Sequence, residues 1–573
     1  MIDTKEKYIY FINNLILSAF ENDEKVDIEK IREEQKIVSE KIDEDFKFSL
    51  ENKKKKIKLD REEVSEGLAY QSLLNMDYAR GVELFARLVK ENSSKIDYKR
   101  CLAECLLYLG QHKIAEKYLL EDLLKEVDNL EITKTIGDIY FGIPEKFVEA
   151  IPYFEKLVKL ENCNPILFYQ LSFLYERVYQ NKKLDVQIDY AKKAFEKVSD
   201  NNLIMAFLAK LLYRNGQKSE AVKYFEKMMK NNPTPEEIVL YSRLFMKEGD
   251  IKKAYDMYRV RFKTSNVAYP KELKEEKRWD GKKDLSNSTV ILHYEQGFGD
   301  SVMFIRYLPR LAKLTKKLIL VVQKNLIPIL KSSGFEDYCE ILSHEADISP
   351  NIKLKDVNSS IMYTTASGMS RIPHDYHIPM MDLPYLFDES PDKMYEAEGY
   401  LKVDENKIEE YRRKHIKNND KIKIGISYHG TSQSNQTYRD ISLVEFLPLM
   451  TMKNVEVYSF QADEYATEID ELPKNAKIYD LGRKFRNFED TACAMSCMDL
   501  VITTDNVVMN LAGALGIKTF GLFNVFSESR WYKTEGEDIG WYKSVRPFVA
   551  KDFNDWKPVI DSIKECVEKE FLL

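Results

Sequence analysis

Small and apolar residues recur at regular steps through the first half of the chain. A small residue is followed four positions later by an aromatic residue or Leu, and successive copies are 33 to 37 residues apart. The pairs are Gly81/Phe85, Ala115/Leu119, Ala150/Phe154, Ala221/Phe225 and Ala254/Tyr258, with a weaker copy at Gln187/Ala191. This period predicts pairs of antiparallel helices stacked into a solenoid over residues 61–268, in which the small residue admits the neighbouring helix.

The pattern changes near residue 288, where short apolar runs begin to alternate with helical periodicity. Runs typical of buried strands occupy residues 288–294, 318–323, 421–429, 455–461, 476–482, 500–505 and 519–525. Helices are predicted between them, among them 301–314, 490–498 and 507–515. This alternation predicts two α/β lobes with parallel sheets, over residues 288–400 and 415–573. Ligands of such sheets bind at the carboxyl ends of the strands.

Composition narrows the class of protein further. The 573 residues carry 87 Lys and Arg against 94 Asp and Glu, a net charge of −7, which argues against a general nucleic-acid binder. A hydrophobic content of 44% argues against a disordered chain. Residues 1–60 are highly charged and are predicted to form a solvated helix or tail. The sequence offers no membrane span and no signal peptide, so we expect a cytoplasmic protein, and the seven cysteines form no CxxC pair, which makes a zinc ribbon unlikely.

Two segments at predicted strand ends carry candidate chemistry. The segment EQGFGD at residues 295–300 has glycines at 297 and 299 that allow a ligand to approach the backbone. Asp300 stands at the start of the following helix, as its N-cap or as a base that faces a cleft. Residues 504–506 (TDN) lead into a second helix, whose N-terminus is suited to phosphate. An ordinary capped helix is the alternative interpretation there.

Several motifs, in order, resemble one family of enzymes. They are EQGFGDSVMFIRYLP at 295–309, GISYHG at 425–430, YRDISLVEFLPLM at 438–450, DLVITTDNVVMNLAGALG at 499–516, SRWYK at 529–533 and WYKSVRPF at 541–548. Together with the repeats, they resemble tetratricopeptide-repeat (TPR) proteins that carry a heptosyltransferase-like domain of glycosyltransferase family nine. The resemblance implies two Rossmann-like lobes in a GT-B arrangement, an acceptor lobe followed by a nucleotide-sugar lobe. It also implies inverting glycosyl transfer from a nucleotide-sugar donor, with no obligatory metal and no other cofactor.

The resemblance assigns expected roles to individual residues. Asp300 matches the family's candidate general base, and Arg439 matches a basic position suited to a diphosphate. The other residues expected at the donor are Ser427, Tyr428, Gln461, Asp505, Asn506, Val507 and Asn510. The residues expected at the acceptor side of the cleft are Glu295, Gln296, Gly297, Gly299 and His374.

Two positions depart from the family pattern. Asn506 and Asn510 stand where the family usually has Thr and His, and an amide cannot carry the positive charge of a protonated His. The departure leaves room for a relative that binds without catalysis.

Three functions therefore remain open. The first is transfer of a sugar from an ADP-heptose-like or UDP-linked donor to a Ser or Thr of a protein held by the repeats. The second is transfer to a lipid-linked or lipopolysaccharide saccharide, and the third is a scaffold that binds a nucleotide-sugar without turnover. The expected partners are a protein or peptide and the nucleotide-sugar, without nucleic acid; a homo-oligomer is compatible with the sequence.

Overall fold

The chain forms two compact units that meet in sequence between Pro233 and Thr234. The computed structural model describes residues 66–264, 273–343, 369–390, 394, 399–430, 439–524, 530–531, 539–551 and 555–572. The predicted N-terminal segment 1–60 lies outside these residues. None of the helices in the described ranges has both the length and the apolar character needed to cross a membrane.

The first unit consists of helices that pack as consecutive antiparallel pairs. They are α1 Glu66–Leu74, α2 Tyr78–Glu91, α3 Ile96–Tyr108, α4 His112–Leu123, α5 Leu130–Phe141, α6 Phe147–Leu157, α7 Ile166–Tyr179, α8 Leu184–Lys197, α9 Asn202–Arg214 and α10 Lys218–Met229. The repeated small residues lie where neighbouring helices touch, since a Cβ on Gly81 would come within 2.6 Å of Cys105 Sγ. Gly110 and Gly216 end helices with φ of 73° and 76°, a conformation that favours glycine.

The second unit begins with one more helix pair. Helix α11 Pro235–Lys247 is followed by α12 Ile251–Tyr258 and a 3₁₀ turn, Arg259–Lys263. We call residues 235–263 the last hairpin. Thr234 caps α11 in a capping box, in which its Oγ1 accepts from Glu237 N at 3.3 Å and its N–H donates to Glu237 Oε2 at 2.7 Å. The repeat pattern predicts a solenoid to residue 268, whereas packing places the last hairpin with the residues that follow it.

The first lobe is a four-stranded parallel sheet. Its strands are β1 Thr289–His293, β2 Lys317–Val322, β3 Glu340–Ser343 and β4 Tyr376–Pro379, in the order β3-β2-β1-β4. Its helices are α13 Phe298–Phe304, α14 Leu308–Ala312, α15 Ile327–Ser332 and α16 Leu383–Leu386. Because the chain turns from β1 to β2 on one side and β4 lies on the other, the carboxyl end of β1 is a topological switch point.

The second lobe is a six-stranded parallel sheet. Its strands are β5 Ile422–Ser427, β6 Val455–Ser459, β7 Ile478–Asp480, β8 Leu500–Thr504, β9 Thr519–Phe523 and β10 Val545–Val549, in the order β10-β9-β8-β5-β6-β7. Its helices are α17 Glu405–His415, α18 Leu447–Met450, α19 Phe488–Met495, α20 Val507–Leu515 and α21 Lys557–Val567. The switch point lies between β5 and β8. The predicted fold class, a helical solenoid followed by two Rossmann-like lobes, is confirmed.

One apolar cluster joins three parts of the second unit. It contains residues of the last hairpin, of both faces of the first sheet and of one face of the second lobe. Trp541 illustrates the connection, because its ring meets Tyr255 of α12 and Phe304 of α13 edge-on, at centroid distances of 6.3 and 5.8 Å. Trp541 is fully buried. The hairpin and the two lobes therefore share one core.

Candidate active site

A cleft of about 440 Å³ separates the two lobes of the second unit. Its walls come from the carboxyl ends of parallel strands: β1 leads into the loop 295–300, and β5, β6 and β8 lead to Ser427, Gln461 and Asp505. The predicted residues that line it are Gln296, Gly297, Gly299, Asp300, Ser427, Arg439, Gln461, Asp505, Asn506, Val507 and Asn510. The cleft thus lies where doubly wound sheets hold ligands.

Asp300 is the carboxylate that the first lobe presents to the cleft. It lies in the first turn of α13, whose N-cap is Gly297, so Asp300 is not the cap residue. Its Oδ1 accepts a hydrogen bond from Nη1 of Arg530, and the two side chains are each 13% exposed. The indole N–H of Trp541 donates to the carbonyl oxygen of Arg530 at 2.8 Å. Asp300 therefore faces the cleft as half of an ion pair that the buried Trp541 steadies.

The N-terminus of α20 forms the opposite wall, at the switch point of the second sheet. Asn506 caps the helix, with Oδ1 accepting from Val508 N at 2.8 Å. Its Nδ2 donates to Ser427 Oγ at 3.0 Å and to the carbonyl oxygen of His429 at 3.1 Å. Asn506 thereby joins β8 to β5 and holds the helix end, with its positive dipole, toward the cleft.

A cation lies beside this helix end. Arg439 Nε is 3.5 Å from Oδ2 of Asp505, and both side chains are largely buried. Asp505 lies between the end of β8 and the cap residue Asn506, so this ion pair places the guanidinium beside the switch point of the sheet. Guanidinium groups and helix N-termini are both suited to binding the phosphates of a diphosphate.

Gln461 links strand ends on the same side of the cleft. Its Oε1 accepts from the backbone N–H groups of Tyr428 and His429 at 3.2 and 3.1 Å, and its Nε2 donates to Asp463 Oδ1 at 2.8 Å. Gln461 is buried and ties the end of β5 to the end of β6. Its side chain orders the cleft wall, and its neighbours Phe460 and Ala462 also line the cleft.

Three of the predicted residues lie outside the lining of this cleft. The Tyr428 ring is buried in the second lobe, where its hydroxyl donates to the carbonyl of Tyr465 at 3.2 Å. Glu295 is buried against Arg261. Nδ1 of His374 is 2.7 Å from the carbonyl oxygen of Ile372.

Several residues that line the cleft were not predicted from the sequence. Arg530 and His429 are two of them, and both fall within motifs that carry the resemblance. The His429 ring stacks on Tyr465 at a centroid distance of 4.0 Å, and its Nε2 lies 2.5 Å from Glu468 Oε1. Burial lowers the pKa of His429, but the carboxylates of Asp440 and Glu468 outweigh burial and raise it above its usual value. The signal for a partner of Asp300 is weak, because Arg530 is 230 residues away in sequence.

No group of three or more His, Cys, Asp and Glu side chains is placed to hold a metal ion within the ranges that the structure describes. Cys493, in α19, and Cys497, just after its end, are both buried in the core. Burial raises the pKa of Cys493 to about 12. The guanidinium groups of Arg439 and Arg530 line the cleft and carry positive charge.

Comparison with known proteins gives distant similarities. No family model matches the chain. Protein FlbA of Caulobacter vibrioides is 22% identical over 368 residues, which are 61% of this chain and 58% of FlbA, so the chain spans less than two thirds of that relative.

Similar solved structures include both classes of protein that the motifs resemble. A glycosyltransferase family 9 structure from Veillonella parvula DSM 2008 is 12% identical, covers 50% of this chain and 93% of its own, and has a TM-score of 0.35. The TPR protein YrrB is 19% identical, covers 32% of this chain and 92% of its own, and has a TM-score of 0.26. The fold assignment rests on the helices and sheets of the chain itself.

Proposed function

We propose that the second unit is a glycosyltransferase that uses a nucleotide-sugar donor. One observation carries this proposal: a single cleft sets the carboxylate of Asp300, from the first lobe, opposite the N-terminus of α20 and the guanidinium of Arg439, from the second. A base and an anion site on facing walls are the two requirements of transfer from a diphosphate leaving group.

The chemistry is a single displacement. The acceptor oxygen forms a bond to the anomeric carbon as the bond from that carbon to the diphosphate oxygen breaks, so the configuration inverts. The acceptor proton passes to Asp300, and the electron pair leaves with the nucleoside diphosphate. The α20 N-terminus and Arg439 stabilise the charge that develops on the diphosphate, in place of a metal. Arg530 is the counter-ion that contacts the Asp300 carboxylate in this structure, so the acceptor hydroxyl has to approach Asp300 beside that guanidinium.

We further propose that the acceptor is a Ser or Thr of a protein recruited by the helical repeats of the first unit. The proposed donor is a nucleotide-sugar that is either ADP-heptose-like or a UDP-sugar. A helical solenoid offers an extended surface of the kind that holds peptides. A lipid-linked or lipopolysaccharide saccharide is the alternative acceptor.

Binding without turnover is the second candidate function. The observation that favours it is the engagement of the two atypical amides: Asn506 is used as a cap, and Asn510 donates to Asn506 O at 3.2 Å and accepts from Tyr542 at 3.1 Å. The ion pair of Asp300 with Arg530 also occupies the candidate base. A scaffold would retain donor affinity and show no consumption of the donor.

The Asp300→Asn variant separates the two functions. Thermal shift with ADP-, UDP-, GDP- and dTDP-sugars first selects a donor, since a ligand at 100 times its Kd stabilises by about 2.7 kcal/mol. Release of the nucleoside diphosphate from that donor is then measured, which needs no acceptor other than water. We expect Asp300→Asn to lower turnover by about 10²–10⁴ while donor affinity stays within a few fold.

The matched control is Asp337→Asn, the same change at an exposed position of the same lobe, which should leave turnover unaltered. Wild-type turnover in Asp300→Asn would remove the base role. Donor binding without diphosphate release by the wild type would favour the scaffold.

A further inference from the structure

The last hairpin makes polar contacts with the loop that carries Asp300. Arg261, in the 3₁₀ turn after α12, donates from Nε to Glu295 Oε2 at 2.8 Å and from Nη2 to Glu295 Oε1 at 2.7 Å. Its third nitrogen, Nη1, donates to Asp382 Oδ1 at 2.9 Å. Arg261 and Asp382 are fully buried, and Glu295 is nearly so. This forked pair fixes the direction of the Glu295 side chain.

Glu295 stands at the switch point of the first sheet. Its Oε1 also accepts from Met381 N at 2.9 Å, so Glu295 joins the end of β1 to the segment after β4. Arg278 completes the cluster by donating to both carboxylate oxygens of Asp382 at 2.7 Å. Burial opposes the ionised form of Asp382, but the guanidinium groups of Arg261, Arg278 and Arg259 outweigh burial and lower the pKa of Asp382 below its usual value.

The next residue of the loop is tied to the hairpin as well. Gln296 Nε2 donates to the hydroxyl of Tyr258, the last residue of α12, at 3.0 Å. On its other side, the carbonyl of Gln296 accepts from Gln323 Nε2 at 3.0 Å, and Gln323 Oε1 accepts from Ser301 Oγ at 2.8 Å. The loop is therefore held at both ends: the hairpin contacts it before Gly297, and Gln323, the residue after β2, contacts Ser301, the residue after Asp300.

A third contact connects the hairpin to Arg530, the ion-pair partner of Asp300. Tyr255 of α12 packs edge-on against Trp541, and Trp541 donates to the carbonyl of Arg530, the partner of Asp300. The hairpin thus supports the candidate base through its loop and through its counter-ion. Filling space between the helices and the lobe would not require a buried forked ion pair, because apolar side chains of similar volume serve that purpose as well.

We propose that the last hairpin contributes to the transfer site through two positioning residues, Arg261 and Tyr258. Arg261 acts through Glu295 and Tyr258 acts through Gln296, and together they orient the loop that carries Asp300. This inference rests on the proposed function. The last hairpin then differs from the helix pairs of the first unit, because its polar side chains organise the cleft. The donor wall of the cleft lies on the second lobe, so the hairpin acts on the rate of transfer and leaves donor affinity unaltered.

The test uses two mild substitutions in the full chain. Arg261→Lys keeps the buried positive charge and removes the fork, and Tyr258→Phe removes only the hydroxyl that accepts from Gln296. With the donor selected by thermal shift, we expect diphosphate release to fall about tenfold in Tyr258→Phe and about a hundredfold in Arg261→Lys, because small misplacements of a catalytic group are costly. Donor Kd should stay within twofold in both.

The matched control is Tyr241→Phe, the same change at a buried tyrosine of α11 whose ring contacts Phe245. It should keep wild-type turnover. Each substitution is also made in the Asp300→Asn background, where a residue that acts through Asp300 loses its effect. We expect less than a twofold further change there, whereas general damage to the fold would persist.

The outcomes are distinct. Wild-type turnover in both hairpin variants would overturn this inference and leave the proposed function standing. So would a parallel loss of donor affinity, or an undiminished effect in the Asp300→Asn background. A wild-type protein that binds donors and releases no diphosphate would overturn the proposed function, and this inference with it.

Discussion

At Gly299 the backbone of the first lobe lies against helix α20 of the second. A Cβ at this position would come within 2.9 Å of Asn510 Nδ2 and 3.7 Å of Val507 Cα. Asn510 has little freedom to withdraw, because it bonds to the carbonyl of Asn506 and to the hydroxyl of Tyr542. Gly299 is thus required by the close approach of the two lobes, in addition to any space that it leaves for a ligand.

We therefore expect Gly299→Ala to destabilise the second unit by about 1–3 kcal/mol, the usual cost of overpacking, and to weaken donor binding by displacing Asn510. Urea unfolding and donor titration measure the two effects. The control is Gly297→Ala in the same loop, where the nearest atom to a Cβ is Asp300 Oδ2 at an ordinary 3.8 Å. Equal stabilities of the two variants would contradict the steric argument.

Residue identities could be predicted from sequence where a motif marks them, and partners could not. Asp300 and Arg439 were selected from motifs, and both line the cleft. Arg530 and Arg261 are distant in sequence from the carboxylates that they contact. Glu295 was selected as a cleft residue, yet its side chain turns to Arg261. Nothing local tells a buried ion pair from a ligand contact, since both need the same residue types.

At the scale of elements, the apolar runs predicted the central strands of both sheets and one edge strand, β7. The strands that the apolar runs did not predict are β3, β4 and β10, and each lies at an edge of its sheet. Edge strands are short and tolerate proline and charge, as Pro379, Pro547 and Glu340 illustrate. The predicted helix 301–314 is divided into α13 and α14, with Pro309 in the first turn of α14.

Helix α20 allows a test of an element whose cap is part of the cleft. Asn506→Ala removes the acceptor for Val508 N and the bonds of Nδ2 to the end of β5. We expect a loss of about 1 kcal/mol or more in stability, and a weaker Kd for the donor because the helix end is no longer held at the cleft.

The control for this change lies in the first unit. Asn201 caps α9 in the same way, with Oδ1 accepting from Ile204 N at 3.1 Å. Asn201→Ala should cost similar stability and leave donor affinity unchanged. If both variants bind donor as the wild type does, α20 has no part in donor binding.

At the scale of the whole molecule, each unit contains at least one buried histidine whose pKa is lowered by burial. Burial lowers the pKa of His112, in the first unit, to about 4. In the second unit, burial lowers the pKa of His293 to about 3 and that of His377 to about 4, and the two rings approach at 3.3 Å between Nε2 and Nδ1. These imidazoles are neutral in the folded protein over the range in which unfolded histidine takes up a proton.

The sign of the pH dependence follows from these shifts. Above the unfolded pKa near 6.5 neither state binds the proton, and the stability from neutral burial is fully present. As the pH falls from 6.5 toward 4, only the unfolded state takes up protons, so both units lose stability. His112 alone should contribute a loss of about 3 kcal/mol by pH 4. Hydrogen exchange as a function of pH resolves the two units.

In His112→Asn, the first unit should lose much of its dependence on pH between 6.5 and 4, while the second unit keeps its own. A first unit whose protection falls equally steeply in wild type and variant would show that other groups govern its acid sensitivity.

The boundary between Pro233 and Thr234 has a consequence for how such a chain can diversify. Solenoids change length by duplication and loss of whole repeats, because each repeat contacts mainly its neighbours. Repeats before Pro233 can be exchanged in that way. The final one is constrained by Arg261, Tyr258 and Tyr255, whose partners lie in the lobes. Changes in the number or sequence of the earlier repeats are thus compatible with this architecture, whereas the last hairpin and the two lobes have to be inherited together.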